Sequence, residues 1–308
     1  MSAPLNWEHE GRDWPLRQSS KFVQAAGLRW HVQMMTPTPL PTKPRGTVLL
    51  VHGTGASTHS WRDVMPLLAA HYEVVNIDLP GHGFTQQPTQ QPIDGGYSLP
   101  AMAQSLQGLL RVMKLSPTIV VGHSAGAAIL LRMVIDKKIT PAHIISINGA
   151  LLPLTGLPGE VFSPIAKFIS RAKFVPKLFA WRAADPKVLN RLLDATGSTL
   201  DDNGRALYGT LITNAAHASA ALNMMANWDL QPLANDLAKF SNCQAHLSLI
   251  VSENDKTVSP NEANRVQQIF ATHQLSQMLN IIRLPKLGHL AHEESPAEMV
   301  RLILKLAV

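Results

Sequence analysis

The stretch Val120–Val121–Gly122–His123–Ser124–Ala125–Gly126–Ala127–Ala128 decides how this chain folds. An apolar run beginning at Ile119 enters Gly-x-Ser-x-Gly, and a small-residue helical pattern follows at once. The pattern predicts strand, tight turn and helix with a serine at the apex. That is a nucleophile elbow, in which a strained turn holds the hydroxyl out at the carboxyl end of a strand. Gly122 and Gly126 let the turn close, and Ala125, Ala127 and Ala128 let the helix pack tightly. The motif recurs by chance, so its meaning rests on partners elsewhere in the chain.

Working outward, Lys21 to Met34 reads as two strands around a turn at Ala25–Ala26–Gly27. Leu28, Trp30 and Val32 alternate there with Arg29, His31 and Gln33. Thr47 to Val51 is a continuous apolar run of the kind buried on both faces of a parallel sheet. Trp61 to Ala70 reads as a helix, Glu73 to Ile77 as a strand, and Leu99 to Met113 as a helix with apolar residues at helical spacing. After the elbow comes a strand at His143 to Ile147. From Leu152 to Trp228 the strand signal stops, and short amphipathic helices are divided by Pro and Gly. Alternation resumes with strands at Ala245 to Val251 and Leu279 to Leu284 and helices at Pro260 to Phe270 and Pro296 to Leu306. The expectation is an α/β chain with a mostly parallel, doubly wound sheet. Residues 1–151 and 229–308 form its core, and 152–228 an inserted helical cap.

The elbow needs a base, and the base needs an orienting group, in chain order serine, acid, histidine. Asp255 follows the strand ending near Val251, and His289 follows the last strand, after Gly288. With Ser124 they form a candidate triad on one sheet edge. Asp255 also suits a helix cap, and Glu253 is a neighbouring acid. The other acid position known in such sheets, after the strand preceding the cap, holds Asn148. His292, His123 and His52 compete with His289. Backbone N–H groups of Ala125 and Thr54 are the candidate oxyanion donors. Asp78–Leu79–Pro80–Gly81–His82–Gly83 reads as a shaped structural loop.

Of the 308 residues, 45% are hydrophobic and 16% charged, as in a packed globular protein. The polar N-terminus predicts no signal peptide, and no apolar run reaches membrane-spanning length. Cys243 stands alone, which fits a reducing cytoplasm. Thirteen histidines include no His-x-x-x-His and meet no Cys pair, so structural zinc is unsupported. The net charge of +6 comes without a nucleic-acid-binding signature, and no nucleic-acid partner is expected. Val161 to Arg182 carries Lys167, Arg171, Lys173, Lys177 and Arg182, no acid, and many apolar and aromatic residues. Such a stretch suits an anionic membrane surface or a carboxylated amphiphile, and equally a cap helix packed on the core. His123, Met224 and Trp228 are candidate pocket residues.

These motifs together resemble the α/β-hydrolase superfamily. A closer resemblance, to the BchO proteins, runs over nearly the whole chain. It is carried by Leu28 through Gln33, His52 through Asp63 (HGTGASTHSWRD), Asp78 through Thr85 (DLPGHGFT) and Gly122 through Ala128. Phe179 through Pro186 (FAWRAADP), Met224 through Leu230 (MMANWDL) and Gly288 through Glu294 (GHLAHEE) carry it into the cap segment and beyond. BchO proteins are α/β-hydrolase-like magnesium-chelatase accessory proteins of bacteriochlorophyll biosynthesis. The resemblance implies a porphyrin intermediate as ligand and contact with magnesium chelatase. Ser252 departs from the glycine common in the turn before the acid. The expected activity is serine hydrolysis of an acyl bond in an apolar substrate, with no metal or organic cofactor. A non-catalytic binding protein and a carbon–carbon bond hydrolase are the alternatives, while Ser124 excludes an Asp-nucleophile dehalogenase or epoxide hydrolase.

Overall fold

The computed structural model describes residues 3–37, 45–88, 96–153 and 174–307. Strands β1 (Ser20–Ala25) and β2 (Leu28–Met35) form a hairpin whose turn residues Ala26 and Gly27 both take positive φ. Next come β3 (Thr47–Val51), α1 (Val64–Ala69), β4 (Glu73–Ile77), α2 (Leu99–Met113), β5 (Ile119–His123), α3 (Ala125–Ile135) and β6 (His143–Ile147). Among the described residues, α4 (Val175–Ala183), α5 (Pro186–Asp194), α6 (Asp202–Ile212) and α7 (Ala215–Ala226) follow. The chain closes with α8 (Gln231–Asp236), β7 (His246–Ser252), α9 (Glu262–Thr272), β8 (Leu279–Leu284), α10 (Ala291–Glu294) and α11 (Pro296–Leu306). Among the described residues no helix is long and apolar enough to cross a membrane.

The eight strands form one sheet in the order β1-β2-β4-β3-β5-β6-β7-β8. β1 and β2 pair antiparallel, as do β2 and β4, and every other pair is parallel. Side chains alternate across a strand, and the apolar runs therefore feed two cores. Leu49, Val51 and Val120 face α2, α3 and α9, while Val48, Leu50 and Val121 face α1 and α11. Both faces of the central strands are covered, which is why these strands read as continuous apolar runs.

Two expectations change in detail. The helix expected from Trp61 to Ala70 divides into a 3-10 turn at Thr58–Trp61 and α1, with Pro66 in the first turn of α1, where a missing N–H is harmless. In β2 the polar residues that alternate with the apolar ones differ in exposure: Arg29 is exposed, but His31 and Gln33 are buried. His31 bonds Asp78 and Ser20, and Gln33 bonds the Pro15 carbonyl and Asn76. The N-terminal segment lies over these two side chains, with Trp7 packed on His31 and Phe22.

The register sets up the site. Val51 pairs with Gly122, His123 with Ile147, Ile147 with Ile250 and Ser252 with Leu284. The carboxyl ends of β3, β5, β6, β7 and β8 therefore release their loops along one edge. At the elbow, a Cβ on Gly122 would lie 2.4 Å from the Ala127 nitrogen, and one on Gly126 only 2.3 Å from the Val51 carbonyl oxygen. Both contacts are with backbone, so the helix sits against the sheet only where no side chain intervenes. We expect Gly126→Ala to lower stability by about 2 kcal/mol or more. Urea unfolding checks this, and an unchanged midpoint would contradict it.

Candidate active site

Ser124 lies between β5 and α3 with φ 50° and ψ −119°, a conformation strained for a residue bearing a Cβ. Neighbouring backbone holds it there. Its N–H donates to the Ile147 carbonyl (3.1 Å), and its carbonyl accepts from Ala127 (3.1 Å) and Ala150 (3.2 Å). Every residue of β5 and α3 is buried, whereas Ser124 between them is partly exposed. The fold thus presents this hydroxyl rather than hiding it.

Asp255 and His289 come together. Asp255 Oδ2 lies 2.7 Å from His289 Nδ1, with both side chains buried. The other oxygen, Oδ1, accepts from the N–H groups of Thr257 (2.7 Å) and Val258 (2.9 Å). The capping and orienting roles therefore use different oxygens of one carboxylate. The cap closes a turn at Thr257–Val258, since α9 begins later, at Glu262. The rival acid Glu253 pairs instead with Arg283 at 2.7 Å.

The bond to Asp255 engages Nδ1 of His289, and among the described residues its Nε2 has no hydrogen-bond partner. Among the described residues the Ser124 hydroxyl has no hydrogen-bond partner. The elbow and the histidine loop are nonetheless directly joined. His123 Nε2 donates to the His289 carbonyl (2.9 Å), and the two rings lie 4.6 Å apart. Burial, reinforced by His292 and His289, holds His123 neutral, well below the ordinary histidine pKa.

The other histidines have different surroundings. His292 is enclosed between Trp61 and His123, and burial lowers its pKa to about 3. His52 bonds the Gly53 carbonyl and accepts from the Leu79 N–H. Asp78 accepts from His31 and from the N–H groups of Thr58 and Phe84. Burial opposes its charge, yet His31 and the Phe84 donor hold its carboxyl well below the usual range.

Thr54 is partly exposed on the loop after β3, and its hydroxyl lies 3.5 Å from the sulfur of buried Met224. A Cβ on Gly53 would come 3.0 Å from Ser124 Cβ, so this loop runs directly beside the serine. Ala125 opens α3, where backbone N–H groups lack intrahelical acceptors. Trp228 packs on the main core, partly buried. Among the described residues no three His, Cys, Asp or Glu side chains gather in a metal-holding cluster.

The roles of Asn148 and His217 leave no signal in the sequence. Asn148 Nδ2 lies within 3.0 Å of Ser252 Oγ, the Gly288 carbonyl and the His289 carbonyl, and its Oδ1 accepts from the Ser252 N–H. At the alternative acid position the chain thus carries an amide that stitches three loops, and Ser252 is its partner. His217 on α7 accepts from the Gly83 N–H (3.0 Å) and lies 3.1 Å from the Gly55 carbonyl, clasping two loops of the site. Burial lowers its pKa to about 4, so a neutral ring makes both contacts.

A profile described as "Alpha/beta hydrolase family" matches residues 48–302. The chain belongs to the alpha/beta hydrolase family. Within it, the chain is 31% identical over 281 residues to the magnesium-chelatase 30 kDa subunit of Rhodobacter capsulatus, covering 91% of this chain and 92% of that one. A shorter similarity, 35% over 126 residues, links it to a fluoroacetate dehalogenase of a Burkholderia species, covering 41% and 39% of the two chains. Among solved structures, an alpha/beta hydrolase fold protein from Burkholderia ambifaria superposes with a TM-score of 0.74 at 20% identity, over 99% of this chain and 100% of that one.

Beneath the acid, a cavity of about 20 Å³ is lined by Asn148, Asp255, Ser259 and Glu262 among others, enough for one water. Burial pushes the Glu262 carboxyl up to about 7, against the N–H groups of Leu151 and Leu152 that donate to it. A carboxyl whose pKa is raised on folding gives its full stabilisation below about pH 4.5, and this is lost as pH rises through about 7. Glu262→Gln keeps the acceptor and cannot ionise. Urea melts should show it matching wild type near pH 5 and exceeding it at pH 8 by about 2 kcal/mol; parallel pH profiles would contradict this.

Proposed function

We propose that the chain is a serine hydrolase cleaving an acyl bond of an apolar substrate, with Ser124, His289 and Asp255 as its triad. The observation that carries this reading is the 2.7 Å contact of buried Asp255 with His289 Nδ1, on the sheet edge that carries the serine elbow. Ser124 Oγ attacks the substrate carbonyl carbon and its proton passes to His289 Nε2. Asp255 accepts from the Nδ1–H and stabilises the imidazolium. The N–H groups of Thr54 and Ala125 receive the developing oxyanion. His289 returns the proton to the leaving group, and water, deprotonated by His289, releases the acid and regenerates the serine. No metal or organic cofactor enters these steps.

Residues 152–228 act in this reading as a cap over a core of 1–151 and 229–308. Met224, His123 and Trp228 help form the substrate pocket. A fluorophosphonate probe should label wild-type protein and leave Ser124→Ala unlabelled, with ester turnover reduced roughly 10³-fold or more. An unlabelled wild type would count against the triad.

A second reading draws support from the name of the Rhodobacter capsulatus relative. In it the fold holds a porphyrin intermediate or contacts magnesium chelatase in bacteriochlorophyll biosynthesis, and hydrolysis is incidental. Complementation of a strain lacking that subunit separates the two. Failure of a folded, abundant Ser124→Ala protein to restore pigment supports the hydrolase; full restoration supports the binding role.

The basic stretch Val161–Arg182 lies outside the described residues up to residue 173. Its described end, α4 and the preceding Phe174, exposes Phe174, Leu178 and Trp181 by 66%, 51% and 68% at helical spacing, with exposed Lys177 and Arg182 nearby. This pattern suits peripheral contact with an anionic membrane. The protein should sediment with vesicles containing phosphatidylglycerol and not with neutral ones. Equal recovery with both, or with neither, speaks against this contact.

A further inference from the structure

The turn between α5 and α6, Thr196–Gly197–Ser198, is remote in sequence from the acid and the base, yet it grips the backbone of both loops. One oxygen joins them. The Thr196 carbonyl accepts from the N–H of Lys256, which follows Asp255, at 3.3 Å and from the N–H of His289 at 3.2 Å. Two residues on, Ser198 Oγ accepts from the Leu290 N–H at 2.7 Å. The Glu294 carboxylate spans the same seam, accepting from Thr199 N–H (3.1 Å) and Gly288 N–H (2.8 Å).

Contact between the pieces is backbone on backbone. Gly197 has φ +81°, and a Cβ there would lie 2.1 Å from the carbonyl oxygen of Asn254, the residue before Asp255. A Cβ on Gly288 would lie 2.4 Å from the Gly197 carbonyl. The turn is stiff in itself, with Thr196 Oγ1 donating to the Leu193 carbonyl at 2.6 Å and accepting from the Ser198 N–H. An apolar cluster of Ala56, Leu193, Leu200, Tyr208 and Leu290 seats the α5–α6 pair on the loops after β3 and β8.

We infer that Thr196–Gly197–Ser198 is a positioning clip, which fixes the Asp255 and His289 loops against each other so that the seating of the helical segment sets the acid–base geometry. The inference rests on the serine-hydrolase reading above. These residues act through Asp255 and His289 and have no part in bond making. Displacing the α5–α6 turn would loosen, in one motion, the backbone of the acid loop and that of the base.

The test uses full-length protein, an activated ester and a fluorophosphonate. Gly197→Ala forces a side chain against Asn254, and should lower kcat and the labelling rate about 10- to 100-fold with little change in KM. The acid limb of its kcat/KM profile should move to lower pH, because the imidazolium loses part of its stabilisation by Asp255. Ser198→Ala should shift both readouts the same way by a smaller factor, and Ser198→Thr should restore them. Ala206→Ser, at an exposed position of α6, should leave them unchanged. Should Gly197→Ala fail to fold, the Ser198 pair decides. A labelled wild type with wild-type rates and pH limb in both Gly197→Ala and Ser198→Ala overturns the clip alone; an unlabelled wild type overturns the hydrolase reading and the clip with it.

Discussion

A buried carboxylate 2.7 Å from one imidazole nitrogen organises this molecule. Asp255 and His289 belong to loops that leave different strands, so nothing local holds them at that distance. The constraint is met by backbone. Asn148 binds the Gly288 and His289 carbonyls, His123 binds the second of them, and the Thr196 carbonyl binds the N–H of His289. Removing a charged group from water carries a penalty unless donors replace the water. Asp255 has two backbone donors and an imidazole for that purpose.

The same economy of backbone contact places the serine. Gly126 brings α3 onto the Val51 backbone of β3, Gly122 of β5 lies against the Ala127 backbone of α3, and that closeness turns the chain through the strained conformation at Ser124. Strain of this kind persists only where the surroundings over-determine it. Here a sheet buried on both faces does so. Stability and site geometry therefore share one cause, the tight seat of α3 on β3 and β5.

Much of this was legible in the sequence because the relevant signals are local. Continuous apolar runs marked β3, β5 and β6, and the helices Leu99–Met113 and Pro296–Leu306 appear with the expected bounds. A strand followed by an acid, and a strand followed by Gly-His, pointed to residues that the register then sets on one edge. The roles of Asn148, His217 and Thr196 were not legible. Each depends on contacts between distant segments, and in Thr196 the acting atom is a carbonyl oxygen, which no residue type announces. The buried His31 and Gln33 of β2 failed the alternation rule for a related reason, since the covering N-terminal segment leaves no trace in the strand's own pattern.

The contact on which the site depends is that of the His289 Nδ1–H with Asp255. NMR of protein labelled with 15N-histidine tests it directly. A hydrogen-bonded Nδ1–H should give a far-downfield proton signal, assigned to His289 by its loss in His289→Ala, abolished in Asp255→Ala and retained in Ser124→Ala. A signal that survives Asp255→Ala, or its absence from the folded wild-type protein, would mean that this bond is not formed.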